Sequence, residues 1–247
     1  MARAWHRLAA ATLLVLSQCK APKPTPGAPC TIGNNRFLCS DPSTAMLCRN
    51  GTWVDVPCRG PQGCSGMDTS PSCDDDLARA GEACLMPPSG DNLACSTDKL
   101  DELTCVAGHW GLTRTCKGPK KCAITGNVIS CDDSLGDVGD PCVVESVADN
   151  YGCSTDKKIE VVCDTATNKF QPSNTCRGAK GCWIEDSKVY CDTAVARVGE
   201  RCRPLDNLSC SEDSTRELRC SPQLTWAEQR DCKRSGCKIR GSEVSCE

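Results

Sequence analysis

Short runs along this chain alternate between apolar and polar positions and meet at two-residue turns, the pattern of half-buried β-hairpins. Residues 122–131 read C-A-I-T-G-N-V-I-S-C. The Gly126-Asn127 step suits a type II′ turn, which wants Gly first. Counting outward, Thr125 faces Val128, Ile124 faces Ile129 and Cys122 faces Cys131. The same count puts Ile184 opposite Val189 on the cysteine face of residues 182–191, and Trp183 opposite Tyr190 and Glu185 opposite Lys188 on the other face. In residues 237–246, Ile239 meets Val244 and Arg240 meets Glu243. In residues 64–73, Gly66 and Pro71 interrupt the alternation, and the cysteine spacing alone supports a hairpin. Each facing cysteine pair falls at a non-hydrogen-bonded position, where Cα atoms lie about 4.5 Å apart, at the short end of the disulfide range. The expected bonds are therefore Cys64–Cys73, Cys122–Cys131, Cys182–Cys191 and Cys237–Cys246.

A second type of hairpin precedes each of these, clearest around Asn50-Gly51, a type I′ turn signal that sets Cys48 opposite Trp53. Cys48 then cannot bond straight across its own hairpin to Cys58. Met46, Leu103, Val161 and Leu218, two before the third cysteine of each set, share its face and are expected in the core. Trp53, Trp110, Phe170 and Trp226 occupy one equivalent place, five or six before the fourth cysteine. The alternation buries these rings against a disulfide; an exposed ladder that stacks on sugars is the alternative.

The cysteines impose a repeat on these hairpins. Twenty-four of the 25 fall into four sets of six that begin at Cys30, Cys84, Cys142 and Cys202. The fifth-to-sixth spacing is nine in every set, whereas the third-to-fourth drifts through 10, 11, 13 and 12. From each set's last cysteine to the next set's first is always 11 residues, with Gly81, Gly139 or Gly199 three before the latter. Apolar residues recur at these joints: Leu77, Leu135 and Val195, then Ala80, Val138 and Val198. Such register predicts neighbours that pack on one another. The reading is a small disulfide-rich, mainly β protein of four tandem six-cysteine modules of short hairpins in a rod-like array. The modules span residues 29–80, 81–138, 139–198 and 199–247. Connectivity among the first four cysteines of each stays open among three possibilities.

Composition agrees. Five Trp, two Tyr and two Phe are too few for one large core, and cysteine at this density marks a disulfide scaffold made in an oxidising compartment. The 29 basic and 32 acidic residues offer no nucleic-acid footprint. Arg3, His6 and Arg7 precede a short apolar run, residues 8–16, too brief to span a membrane. The run ends in Leu16-Ser17-Gln18-Cys19, which resembles the lipobox of bacterial lipoproteins. That resemblance implies a signal peptide at residues 1–18 and a lipid on Cys19, which becomes the first residue. Gln18 stands where lipoproteins usually have Gly, Ala or Ser. Removing Cys19 leaves an even cysteine count, and Pro-rich residues 19–28 follow as a semi-extended tether.

Cys-Arg/Lys-Gly steps (Cys58-Arg59-Gly60, Cys116-Lys117-Gly118, Cys176-Arg177-Gly178) and Cys-Asp ends (Cys73-Asp74, Cys131-Asp132, Cys191-Asp192) complete the unit. In these features residues 27–247 resemble the tandem cysteine-rich repeat lipoproteins of myxobacteria. The resemblance implies an outer-envelope or cell-surface location and a repeat architecture, with no assigned activity. Module four departs from it in Cys232-Lys-Arg-Ser-Gly-Cys237 and in Glu247.

Chemistry is sparse. His6 lies in the signal and His109 in a hairpin turn, so no nucleophile-His arrangement recurs, and no two cysteines are separated by two residues as structural zinc prefers. Ser-Thr-Asp98, Ser-Thr-Asp156 and Ser-Glu-Asp213 follow the second cysteines and read as turn caps rather than metal ligands. No cofactor, metal or catalytic residue is expected. Arg59, Lys117, Arg177 and Lys233 form a row of single charges, either solvated or facing an anionic polymer. Trp183 and Tyr190, both turned away from the cysteines, form the expected contact patch. The functional expectation is a non-enzymatic surface module, membrane-anchored through Cys19, that binds polysaccharide or a protein partner. The alternative is a multi-headed secreted inhibitor, for instance of proteases.

Overall fold

A computed structural model describes residues 23–33, 36–66, 70–86, 92–126, 128–144, 150–186, 188–233, 235–241 and 243–246. The expected signal and Cys19, the expected lipid acceptor, lie outside the described residues. Every regular element among the described residues is a strand. Module one places Phe37–Asp41, Thr44–Arg49 and Thr52–Pro57 side by side, followed by the hairpin Cys64–Ser65 and Ser72–Cys73. Module two repeats this with Leu93–Ser96, Asp101–Val106 and His109–Thr115, then Cys122–Thr125 and Val128–Cys131. Modules three and four follow the same order, through Tyr151–Cys153 to Lys188–Cys191 and Leu208–Ser211 to Glu243–Cys246.

The registers follow from alternation and turn chemistry. Asn50 at φ +49° and Gly51 at +77° form the expected turn and set Cys48 opposite Trp53. Ala107 (+50°) and Gly108 (+82°) do the same in module two, with Cys105 opposite Trp110. The drift in third-to-fourth spacing has two local causes. Turns lengthen in modules three and four, and a bulge between Glu102 and Leu103, between Glu160 and Val161, and between Glu217 and Leu218 adds one residue that module one lacks.

Met46, Leu103, Val161 and Leu218 are buried, as are Trp53, Trp110, Phe170 and Trp226, each opposite a third cysteine. The aromatic row is thus core and offers no sugar-stacking ladder. It also explains the joint glycines. Gly81, Gly139 and Gly199 sit at φ +85°, +93° and +85°, where side chains are disfavoured. Each amide donates to the carbonyl of the buried aromatic, as from Gly81 to Trp110 at 2.7 Å, while the following carbonyl accepts that aromatic's N–H.

The cysteines depart from expectation. In every module the first bonds the third, the second the fifth and the fourth the sixth, as in Cys84–Cys105, Cys95–Cys122 and Cys116–Cys131. The expected bonds Cys64–Cys73, Cys122–Cys131, Cys182–Cys191 and Cys237–Cys246 do not form, although all four pairs face each other in the ladder as predicted. Both sulfurs of a facing pair point to one face, and there one meets a strand of the preceding sheet and the other the residue just past that sheet's last strand. Cys122 reaches Cys95 and Cys131 reaches Cys116, at Cα separations of 5.6 and 5.2 Å. A bond across the hairpin would lock strands that their own hydrogen bonds already hold and leave the hairpin untethered. The observed loops, 15 and 27 residues in module two, restrict the unfolded chain by ~3 to ~3.5 kcal/mol each, against ~2.6 for the short loop of a cross-hairpin bond.

Each joint belongs to the following module's sheet. Leu77–Ala78 pairs in parallel with Cys95–Ser96, and Val195–Ala196 with Cys210–Ser211, so the sheets of modules two and four begin four residues before the boundaries drawn at 81 and 199. Leu77 packs on the disulfides of the second hairpin and Ala78 on Trp110, as alternation requires. Ala80, Val138 and Val198, expected to pack between modules, are exposed. A turn closed by Glu82 N–H on the Arg79 carbonyl lifts Ala80 to its tip, and Asp140 on Asp137 and Glu200 on Arg197 do the same for the two valines.

Candidate functional site

The repeated short motifs proved to be structural. Gly60, Gly118 and Gly178 lie against Asp74, Asp132 and Asp192, so closely that a Cβ would stand 1.7, 2.2 and 1.9 Å from those carboxylates. The same carboxylates accept the N–H groups of Gln62, Lys120 and Lys180. Ser96, Ser154 and Ser211 hydroxyls donate to Asp98, Asp156 and Asp213, which close turns by accepting backbone N–H groups. Those bonds, from Ser211 first and then Thr215, hold the Asp213 carboxyl down to about 2. These acids cap turns.

Three members of the basic row do not face an open surface, whereas Lys233 is exposed. Arg59 pairs with Glu82, Lys117 with Asp137 and Asp140, and Arg177 with Glu200 and Glu212. In modules one to three the cation after the fourth cysteine therefore clamps an acid just before the next module's first cysteine. The hydrogen bond from Arg177 holds the Glu200 carboxyl below its ordinary value. Module one carries Ala28 where the others carry this acid.

The expected contact patch does assemble. Trp183 and Tyr190 are cross-strand partners whose rings stack at 5.2 Å and 16°, with Lys180 Nζ 5.2 Å from the Trp183 ring. Tyr190 is 39% exposed, and Trp183 is half-buried. Tyr190 also lines a cavity of about 560 Å³ where modules three and four meet, a size within the range of small-molecule sites.

Alternation along one hairpin could not reveal the other walls, which come from four further segments. Tyr151, Glu160 and Asn174 belong to the first sheet of module three, and Arg203 and Leu205 to the opening loop of module four. Arg203 Nη1 donates to the Tyr151 hydroxyl at 2.8 Å. Glu160 accepts from Ser173 Oγ at 3.0 Å and from the Asn174 amide. Burial raises its carboxyl above the ordinary range, against those two bonds. Asn174 Oδ1 is buried without a partner. The signal that could have found Asn174 is its place opposite Glu160, where modules two and four put an arginine opposite the same acid.

His109, expected in the turn, is the exposed first residue of the strand His109–Thr115, and one of its ring nitrogens meets the Gly81 carbonyl at 3.3 Å. Among the described residues no three His, Cys, Asp or Glu side chains converge as metal ligands, and no helix is long and apolar enough to cross a membrane. No known protein family, characterised protein or solved structure matches this chain.

Proposed function

We propose that this chain is a non-catalytic, lipid-anchored protein of the cell envelope or surface that binds polysaccharide at the junction of modules three and four. The observation that carries this reading is the stacked, outward-facing Trp183–Tyr190 pair continuing into a cavity walled by Tyr151, Glu160 and Arg203. A flat aromatic face beside paired donors and acceptors is what a sugar ring, apolar on its faces and hydroxylated at its edge, requires. The twelve disulfides agree with an oxidising, extracellular setting. Anchoring rests on the lipobox resemblance around Cys19.

Co-sedimentation of the purified protein with cell-wall sacculi and with extracellular polysaccharide tests the binding. Saturable binding that Trp183→Ala with Tyr190→Ala abolishes is expected; binding unchanged in that variant contradicts the site. Mass spectrometry of the mature N-terminus tests the anchor: a diacylglyceryl group on Cys19 is expected, in larger yield from Gln18→Gly, and an unmodified Cys19 contradicts it.

A further inference from the structure

Comparison of the modules with one another shows how the cavity arises. In module two, Glu102 faces Arg114 across the sheet, and the buried guanidinium pairs with Glu102 at 2.9 Å and with Asp133. In module four, Glu217 faces Arg230, which pairs with it at 3.0 Å and donates to the Cys246 carbonyl. Module three keeps the acid, Glu160, but faces it with Asn174, and Thr193 stands where module two has Asp133. One cation and one anion are missing together, so charge is conserved while volume is not. The cavity is an open one that lies beside Glu160, Asn174 and Thr193 and is lined on the module-four side by Arg203 and Leu205.

Two features indicate what enters. Arg203 returns the positive charge that Asn174 lacks, which leaves no net charge for an ionic ligand to neutralise. Asn174 presents its NH₂ group to Glu160, and its Oδ1 is left buried and unpartnered, an arrangement that costs about 1–3 kcal/mol until a donor satisfies it. We propose that this cavity seats one neutral, hydroxyl-rich sugar ring in the place of the absent guanidinium. Its hydroxyls donate to Glu160, and to Asn174 Oδ1 once that amide turns toward the cavity; they accept from Arg203, and one ring face lies on Tyr190. This rests on the polysaccharide reading and deepens it from an aromatic surface to a defined subsite.

Asn174→Arg tests it by restoring the ion pair of the sister modules. The full protein in detergent is titrated calorimetrically with cellotriose, chitotriose, the cation agmatine and sulfate. The wild type is expected to bind a neutral trisaccharide and neither ion. Asn174→Arg is expected to keep the thermal stability of the wild type and lose at least tenfold in affinity, and Glu160→Gln to lose a similar factor. Should Asn174→Arg bind trisaccharide as the wild type does, the subsite is wrong; if Trp183→Ala with Tyr190→Ala still loses polymer binding, the surface reading stands without it. Preference for agmatine or sulfate overturns the neutral-ring assignment. Polymer binding without any trisaccharide binding overturns the subsite, and no binding of either overturns both readings.

Discussion

Cys182 and Cys191 stand directly opposite each other in the second hairpin of module three and are not bonded to one another. Cys182 joins Cys153 and Cys191 joins Cys176, so one facing pair ties its hairpin to two separate parts of the preceding sheet. Trypsin resolves the alternatives, because Lys180 and Lys188 flank Cys182 and Arg177 follows Cys176. Under non-reducing conditions, peptide 170–177 is expected to be joined to peptide 189–197 by one bond. Peptide 181–188 joined to 189–197 would restore the cross-hairpin bond and refute the connectivity.

The clamps between modules carry a modest energy. Arg59 and Glu82 are about a quarter exposed, and pairs of that kind contribute about 0.5–1 kcal/mol. A double-mutant cycle over Arg59→Ala and Glu82→Ala is expected to return a coupling of that size that shrinks as salt is raised. A coupling near zero at low salt would show that the pair does not hold the joint.

Asp75 makes the first joint sensitive to pH. Burial pushes its carboxyl from 3.8 to about 6, only partly offset by the Asn92 amide 3.2 Å away. The folded state therefore favours the protonated form. The stability this contributes is complete below pH ~4 and is lost as pH rises through 6, by about 3 kcal/mol. Thermal unfolding is expected to show lower stability at pH 7.5 than at pH 4.5. Asp75→Asn, which keeps the acceptor oxygen, should flatten that dependence and raise the melting temperature at pH 7.5 by roughly 5 °C or more. A pH profile identical in Asp75→Asn and wild type would contradict the assignment.

How much of this was legible in the sequence follows the range of the interaction. The Cys48–Trp53 and Trp183–Tyr190 registers were legible because alternation and a turn fix them within ten residues. Burial of Leu103 and Trp110 follows from the same alternation. The disulfide partners were not, since whether Cys122 meets Cys131 or Cys95 depends on how one hairpin stacks on another sheet. Arg59 looked like a solvated charge because its partner, Glu82, lies 23 residues ahead in the next module. The cavity was hidden for a related reason. It is made by what module three lacks, and Asn174 is informative only beside Arg114 and Arg230.

Polysaccharide lying on the Trp183–Tyr190 face can be read by fluorescence. Trp53, Trp110 and Trp226 are buried, and Trp5 lies in the expected signal, so the tryptophan open to a quencher in the mature protein is Trp183. Iodide quenching with and without saturating polysaccharide is the measurement. The quenchable fraction is expected to fall when polymer is bound and to be absent from Trp183→Ala; quenching unchanged by polymer that demonstrably co-sediments with the protein would show that the sugar lies elsewhere.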